Sequence, residues 1–251
     1  MRDTLISDLN YYKSFIELQN QLLLESHDRL NNNQIPNDNI SNVHHRLFFK
    51  KLEIFIASFG QGATIEQLRL KLNNLFDNFH QEWLDDACKL RVKGGLIDQY
   101  NLNSYCYMIW FLSISILLGI EKKHIDLLTK TIEDAKIEDE LILFLISALN
   151  GKEYLNKKET TYRPFKKLVK NNIRDLKKMD LKKYLKSWYQ GTKLMTWHHY
   201  NPANGKYFYF GKWSFEASAI VAILNIDDNS FKEQENYPHE LVLEYRKRNS
   251  R

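Results

Sequence analysis

Apolar residues recur at helical spacing along most of the chain. The most regular stretch covers residues 65–87, and Thr64 stands where it can cap a helix that begins there. One face of this predicted helix carries Ile65, Leu68, Leu72, Leu75, Phe76, Phe79, Trp83 and Ala87. Similar spacing predicts a first helix over residues 5–30 and a second helix that stops at Gly60-Gln61-Gly62.

A long uncharged apolar stretch, residues 105–120, predicts a buried central helix. It is shorter than the roughly 20 residues needed to cross a bilayer, and it contains Ser113 and Ser115. We therefore expect no association with a membrane. The same spacing predicts further helices around residues 124–135, 138–150, 164–170 and 180–189.

Glycine and proline are rare, because the 251 residues include only nine glycines and four prolines. Folds with many turns, such as β-sandwiches and barrels, need more of both. The predicted fold class is therefore all-α, a helical bundle of antiparallel helices followed by a C-terminal helical array. One short β-hairpin is considered near residues 197–210, because Asn204-Gly205 tolerates the positive φ of a tight turn.

Two adjacent glycines, Gly94 and Gly95, interrupt the helical pattern. We interpret them as the boundary between an N-terminal helical domain, residues 1–95, and a C-terminal helical domain, residues 96–251. A turn inside one domain would produce the same interruption.

Charge is unevenly distributed along a chain whose formal net charge is +5. Residues 152–193 contain 14 lysines and arginines against four acidic residues, whereas residues 1–151 contain 15 against 20. Such a basic segment either binds phosphate groups or forms the solvated face of helices. The second interpretation is favoured, because lysines flank each short apolar stripe and outnumber arginines. A helical nucleic-acid-binding or regulatory protein that uses residues 152–193 is the alternative function.

No arrangement of residues typical of catalysis or metal binding is found in the sequence. His44-His45 and His198-His199 are adjacent pairs, whose rings diverge on a helix or strand. His80-x-Glu82 lacks the P-C-x-x-C that follows the similar triplet of zinc deaminases. The chain also lacks a G-x-S-x-G elbow, a Walker loop and a dinucleotide fingerprint. We therefore expect a protein that is not an enzyme and that binds no metal or cofactor.

The chain contains two cysteines, Cys88 and Cys106. Its first residues lack the continuous apolar run of a secretory signal. A chain of this length does not need a disulfide framework. Reduced thiols and a cytoplasmic location are expected.

The C-terminal part combines a dense aromatic segment with a helix of small residues. Ser214 can cap that helix, and Pro238 suits the first turn of a terminal helix. Glu216 is expected to be a buried carboxylate, held by Lys212 or by a hydrogen bond from a Tyr or Trp of the aromatic segment. The aromatic residues expected in the core are Trp197, Tyr207, Tyr209, Phe210, Trp213 and Phe215.

This part of the sequence resembles the C-terminal signature of PoNi-type immunity proteins, which neutralise polymorphic nuclease toxins in bacteria. The residues that carry the resemblance are Tyr209, Gly211, Trp213, Phe215, Glu216, Asp227, Asp228, Tyr237 and Pro238. At the position of Lys212 the family more often has an aromatic residue. Residues 45–53, His-Arg-Leu-Phe-Phe-Lys-Lys-Leu-Glu, and the Gly60-Gln61-Gly62 break resemble the N-terminal domain of the same family.

The resemblance implies an all-helical cytoplasmic protein that binds a cognate DNase toxin in interbacterial competition. It supplies no catalytic residues and does not fix how inhibition works, because an immunity protein can plug the active site or bind beside it. Our hypothesis is that an acidic face of this protein covers the toxin's active site or DNA-binding cleft, without direct contact with nucleic acid. An acidic surface can compete with DNA for a basic cleft. The candidate partner-binding residues are Asp85, Asp86, Glu133, Asp134, Glu138, Asp139 and Glu140.

Overall fold

The computed structural model describes residues 1–6, 8, 10–154, 162, 165–169, 173–201 and 208–250. These residues form twelve α-helices and one two-stranded antiparallel hairpin, which confirms the all-α prediction. The chain divides into two compact units, Met1–Lys89 with His199–Gly211 and Leu90–His198 with Lys212–Arg251. The domain boundary placed after residue 95 stays a prediction.

The central helix of the first unit is α2. The other four helices of this unit all pack against it. The five helices are α1 (Tyr11–Asn31), α2 (Ile40–Gln61), α3 (Ile65–Phe76), α4 (Phe79–Glu82) and α5 (Asp85–Cys88). A 3₁₀ turn, Asn37–Asn39, precedes α2. Phe48, Leu52 and Phe55 are fully buried at helical spacing along α2. This apolar stripe forms the centre of the unit's core.

The predicted stop of α2 and the predicted cap of α3 are confirmed, but the single long helix over residues 65–87 is wrong. Gly62 ends α2 with φ 107°, and Thr64 forms a capping box with Gln67. The helix α3 stops where Asp77 is extended and Asn78 takes a left-handed conformation with φ 61°. Asparagine visits that conformation more readily than most other residues. The predicted apolar face is therefore divided among α3, α4 and α5.

The first residues of the chain close the end of α2. The guanidinium of Arg2 donates to the backbone oxygens of Phe59 and Ala63, at 2.8 and 2.9 Å. The oxygen of Phe59 also accepts from the backbone nitrogen of Gly62 at 3.1 Å, so Arg2 adds a second donor at the end of α2. The helix α1 begins only at Tyr11, and Leu5 is 52% exposed. The predicted start of the first helix at Leu5 is therefore wrong.

The central helix of the second unit is α6, which is buried at every position from Ser104 onward, as its apolar sequence predicts. The helices α8, α11 and α12 pack against it, α7 packs on α8, and α9 contacts α8 and α10. Their bounds are α6 (Leu102–Leu118), α7 (Lys122–Asp134), α8 (Glu140–Leu149), α9 (Lys166–Val169), α10 (Lys178–Gly191), α11 (Phe215–Ile223) and α12 (His239–Asn249). A 3₁₀ turn, Ile173–Asp175, precedes α10.

Arg248 on α12 closes the C-terminal end of α6. Its guanidinium donates to the backbone oxygens of Leu117 at 3.0 Å and Ile116 at 2.7 Å. Gly119 lies directly beside the guanidinium of Arg248. A Cβ at this position would stand only 2.8 Å from that group. The positive φ of 77° at Gly119 also favours glycine. The end of α6 therefore depends on both residues.

The hairpin consists of β1 (Lys89–Val92) and β2 (Gly95–Tyr100). Lys93 and Gly94 form its turn with φ values of 47° and 86°, and two consecutive positive φ values are typical of a type I′ turn. The glycine pair interpreted as a domain break thus takes part in a β-turn. At the hairpin considered near residues 197–210, Thr196–His199 form a 3₁₀ turn, and residues 202–207 lie outside the described residues.

Within the described ranges, no helix combines the length and the apolar character needed to span a membrane. Cys88 and Cys106 are buried free thiols. Burial raises the pKa of both thiols well above the ordinary value. Both cysteines therefore behave as small core residues.

Candidate functional site

Glu216 is the most deeply buried carboxylate of the C-terminal signature and lies at the start of α11. Its Oε1 atom accepts hydrogen bonds from Tyr184 Oη at 2.7 Å, Trp188 Nε1 at 2.6 Å and Ser214 Oγ at 2.7 Å. Burial raises the pKa of Glu216, and these donors oppose that rise. The carboxylate therefore joins α10 to the start of α11.

The contacts around Glu216 differ in part from those expected. A tyrosine and a tryptophan do donate to it, but they lie on α10 and not in the aromatic segment. The ammonium of Lys212 lies 3.9 Å from the centroid of the Tyr189 ring, which stacks on His198 at 4.1 Å. Lys212 thus makes a cation–π contact with Tyr189. Ser214 donates to Glu216 and makes no side-chain cap of α11, so that prediction is wrong.

Asp228 organises the connection between α11 and α12. Its carboxylate accepts from Tyr237 Oη at 2.8 Å and from Arg246 Nη1 at 2.9 Å, and it is almost fully buried. Asp227, in contrast, is exposed and forms hydrogen bonds within the turn that follows it. Pro238 is buried and is the N-cap residue of α12. These signature residues hold the C-terminal part of the second unit together.

The first signature residue, Tyr209, binds to the N-terminus of the chain within the first unit. Its Oη donates to Asp3 Oδ2 at 2.7 Å, and Tyr12 Oη donates to the same oxygen at 2.5 Å. Tyr11 Oη donates to the backbone oxygen of Tyr209 at 3.1 Å. Asp3 and Tyr209 are 206 positions apart, so no local sequence pattern indicates this contact. Gly211 is buried with φ 119°, which favours glycine.

The acidic candidates differ in their exposure. Asp85 and Asp86 are exposed on α5, Glu133 and Asp134 are exposed at the end of α7, and Glu138 is exposed in the turn that follows. Asp85 pairs with Lys89 at 2.9 Å, and Asp134 pairs with Lys130 at 2.9 Å. Within the described part of the chain, no ion pair is formed by Asp86 or Glu133. These five residues are accessible to a partner, and their role in binding stays a prediction.

The remaining two acidic candidates, Asp139 and Glu140, are buried. Asp139 is the N-cap residue of α8, and its Oδ1 accepts from the backbone nitrogens of Leu141 and Ile142 at 3.1 and 3.2 Å. Tyr105 Oη also donates to it at 2.9 Å. A carboxylate that is used in this way within the protein is not available to a partner in this conformation.

The lysine-rich segment directs its charges outward where the structure describes it. The buried residues of α10 are Leu181, Tyr184, Leu185 and Trp188. The exposed lysines of α9 and α10 are Lys166, Lys167, Lys178, Lys183 and Lys186. Four further basic residues of this segment lie outside the described residues, namely Lys157, Lys158, Arg163 and Lys170. The pattern supports the interpretation of this segment as the solvated face of helices.

The structure does not assemble a metal or catalytic centre in the ranges that it describes, where no group of three or more His, Cys, Asp or Glu is placed to hold a metal. His80 is exposed, whereas Glu82 is buried and its Oε1 pairs with Lys51 Nζ at 2.6 Å. The two members of the His80-x-Glu82 triplet therefore lie in different environments.

Two sequence models of one family match this chain. The model described as PoNe immunity protein (PoNi), N-terminal, matches residues 2–130, and that described as PoNe immunity proteins (PoNi), C-terminal, matches residues 137–241. The chain belongs to the PoNi family. Family membership makes it an immunity protein whose partner is another protein, a toxin of the PoNe class.

The crystal structure of protein PA2201 from Pseudomonas aeruginosa is similar to this chain with a TM-score of 0.64 and 17% sequence identity. The similarity covers 98% of this chain and 92% of that chain. At this identity the comparison shows the shared fold alone. No match was found among curated proteins.

Proposed function

We propose that this PoNi protein neutralises a cognate nuclease toxin by binding to it and covering its active site or its DNA-binding cleft. The observation that carries the proposal is the family match, which spans residues 2–130 and 137–241 and thus both domains of the family. The protein would act in the cytoplasm as a binding protein, and the inhibition would require no chemical step.

Exposed carboxylates support an electrostatic contribution to this inhibition. Asp85 and Asp86 lie on α5, and Glu133, Asp134 and Glu138 lie at and after the end of α7. A nuclease presents positive charge to the DNA backbone, so carboxylates of an inhibitor can occupy the same cleft. Opposite charges also speed the encounter of the two proteins.

Buried hydrogen-bond networks support a binding surface that is formed before the toxin arrives. Glu216 accepts from three side chains, and Asp228 and Asp3 each accept from two. Each network lies within a single compact unit. A surface that is already ordered loses less entropy on association, which favours tight binding.

Charge reversal tests the electrostatic contribution. The double variant Asp86→Lys/Glu133→Lys changes two exposed carboxylates that form no ion pair with another described residue. The control Glu233→Lys/Glu235→Lys makes the same change in net charge at two other exposed positions. We expect the first variant to weaken toxin binding by about tenfold to 100-fold. The control should change affinity by less than about threefold.

Calorimetry with the purified toxin measures the affinity, and cleavage of plasmid DNA measures the inhibition. If both double variants lose affinity equally, net charge alone is responsible and the assignment of a specific acidic surface is wrong. If neither variant loses affinity, the electrostatic mechanism is wrong, whereas binding and neutralisation still stand.

The alternative function, nucleic-acid binding through the exposed lysines, is tested by mixing the purified chain with duplex DNA in the absence of toxin. A DNA-binding protein associates with duplex DNA by itself, and its affinity falls steeply as salt increases. We expect the purified chain to leave duplex DNA unbound at about 150 mM salt, a concentration at which weak phosphate contacts are largely screened. DNA binding under these conditions, without inhibition of the toxin, would favour the alternative.

A further inference from the structure

Two cavities of the first unit meet on α3. One has a volume of about 400 Å³, lies among α1, α2 and α3, and is lined in part by Lys51. The other has a volume of about 630 Å³ and is lined in part by Ile16 and Leu70. Lys71 and Asn74 line both cavities. We call these two adjacent cavities and the side chains that line them the α3 groove.

Both cavities of the α3 groove combine polar and apolar side chains. The first, which we call the Lys51 cavity, is lined by Leu23 and Ile54 together with Asn20, His27, Lys51, Asp77 and Asn78. The second, which we call the Leu70 cavity, is lined by Ile16, Ala63 and Leu70 together with Ser58, Gln61 and Gln67, and Leu70 is 66% exposed. Recognition sites for proteins and peptides commonly combine an apolar contact area with a few placed polar groups. The α3 groove has this composition.

Lys71 lines both cavities, and no ion pair with a described residue compensates its charge. Its side chain is partly buried, and burial lowers the pKa of its ammonium group. Within the described residues no carboxylate forms an ion pair with Lys71, although Asp77 lines the same cavity. Lys51, in contrast, pairs with the buried Glu82 at 2.6 Å. A partly buried ammonium without a counter-charge is stabilised by a carboxylate supplied from outside.

Two histidines, His27 in the Lys51 cavity and His44 near it, add no positive charge at neutral pH, because the pKa of each is lowered. Burial is the largest cause that lowers the pKa of His27 and of His44, and the charge of Lys51 lowers both further. His27 also lowers the pKa of His44. Lys71 is therefore the basic side chain of the Lys51 cavity whose charge has no ion pair among the described residues.

We propose that the α3 groove binds a segment of the toxin in which an acidic residue stands beside an apolar one. The carboxylate pairs with Lys71, and the apolar side chain packs on Leu70. A protein segment fits the groove better than a small anion does, because the exposed apolar side chain of Leu70 lines a cavity together with Lys71, and the two cavities of about 400 and 630 Å³ are larger than a small anion. The identity of the partner rests on the proposed function, and the contact site is the new element.

Substitution of Lys71 tests the ion pair. Lys71→Glu reverses the charge, Lys71→Met removes it at similar length, and Lys13→Glu makes the same reversal at an exposed lysine of α1. We expect Lys71→Glu to weaken toxin binding by about 30-fold or more and Lys71→Met by about tenfold. The Lys13 control should change affinity by less than about threefold. Circular dichroism and the thermal midpoint show whether each variant is folded.

Carbodiimide cross-linking of the unaltered complex identifies the group that contacts Lys71. The reagent joins an amine to a carboxylate that lies against it, so mass spectrometry should find Lys71 linked to an aspartate or glutamate of the toxin. Two rival occupants are a second copy of this chain and a free anion. A Lys71 cross-link between two copies of this chain, formed without toxin, would overturn the proposal. It would also be overturned if excess inorganic phosphate at constant ionic strength abolished toxin binding while Lys71→Glu bound the toxin normally.

Toxin binding by the variants separates a wrong contact site from a wrong function. If Lys71→Glu binds the toxin normally while Asp86→Lys/Glu133→Lys does not, the α3 groove is not the contact site and the proposed function stands. If the unaltered chain binds no nuclease toxin, the proposed function is wrong and the groove assignment is wrong with it.

Discussion

We predict that mild acid destabilises this protein through His45. The ring of His45 on α2 contacts the rings of Phe49 and Trp83, with centroid distances of 4.2 and 5.4 Å. Burial lowers the pKa of His45 from the ordinary 6.5 to about 4, and the charge of Arg46 contributes to the decrease. The unfolded chain therefore takes up a proton at a pH where the folded protein still excludes it.

The sign of the effect follows from this difference in proton binding. The stability that His45 contributes is fully present above pH 6.5, decreases as the pH falls below 6.5, and is lost below about pH 4. A decrease in pKa from 6.5 to about 4 corresponds to about 3 kcal/mol, of which about 2 kcal/mol is lost by pH 5. His45 is 9% exposed, so screening by solvent reduces this value little. The loss is a substantial part of the roughly 5–15 kcal/mol that stabilises a typical protein.

Urea unfolding between pH 7 and pH 5, followed by circular dichroism, measures the effect. His45→Phe keeps an aromatic ring between Phe49 and Trp83 but cannot take up a proton. Between pH 7 and pH 5 the unaltered protein should lose about 2 kcal/mol more free energy of unfolding than this variant. His80→Phe, at an exposed histidine, should follow the unaltered protein. Parallel loss of stability in the unaltered protein and His45→Phe would refute the reasoning.

Substitutions at three further residues test the remaining contacts by urea or thermal unfolding. Glu216→Leu should lose about 3–5 kcal/mol of unfolding free energy, because it leaves buried donors without an acceptor, and Glu216→Gln should lose less. Equal losses would show that no hydrogen bond is needed there. Arg248→Ala should lose about 1–3 kcal/mol, because two backbone oxygens at the end of α6 lose their donor. An unchanged midpoint would contradict this role. Lys212→Ala should lose about 0.5–1 kcal/mol of unfolding free energy, because it removes the cation–π contact with Tyr189. Lys212→Met should lose less, because its side chain still packs on the ring. A loss above about 2 kcal/mol in Lys212→Ala would require another contact.

The sequence predicts helices well where the determining interactions are local. The stop of α2 at Gly62 and the cap of α3 at Thr64 depend on residues within one turn of the helix end. The burial of α6 follows directly from its uncharged apolar run. The break after α3 is hard to predict, because the apolar period continues across Asp77 and Asn78, although asparagine at this point is compatible with a left-handed residue.

The buried polar groups were harder to predict, because their partners are distant in the sequence. The charge of Asp139 suggests a surface carboxylate, yet this residue stands immediately before the apolar run of α8, where an N-cap aspartate is common. The sequence therefore contains a local signal for this cap. The donors to Glu216 lie on α10 and the acceptor for Tyr209 lies at Asp3, so only the tertiary structure reveals them.

The residues that make the family recognisable in this chain are residues that hold its fold together. Glu216, Asp228 and Tyr209 are nearly or fully buried, and each forms hydrogen bonds inside its own unit. A toxin cannot contact these side chains while the protein is folded, so they cannot distinguish one toxin from another. Under the proposed function, we expect the choice of toxin to depend on accessible positions such as Asp86 and Lys71. The proposal thus places the hydrogen bonds that specify the fold and the charges that bind the toxin on separate sets of residues, so that one core would serve immunity proteins with different partners.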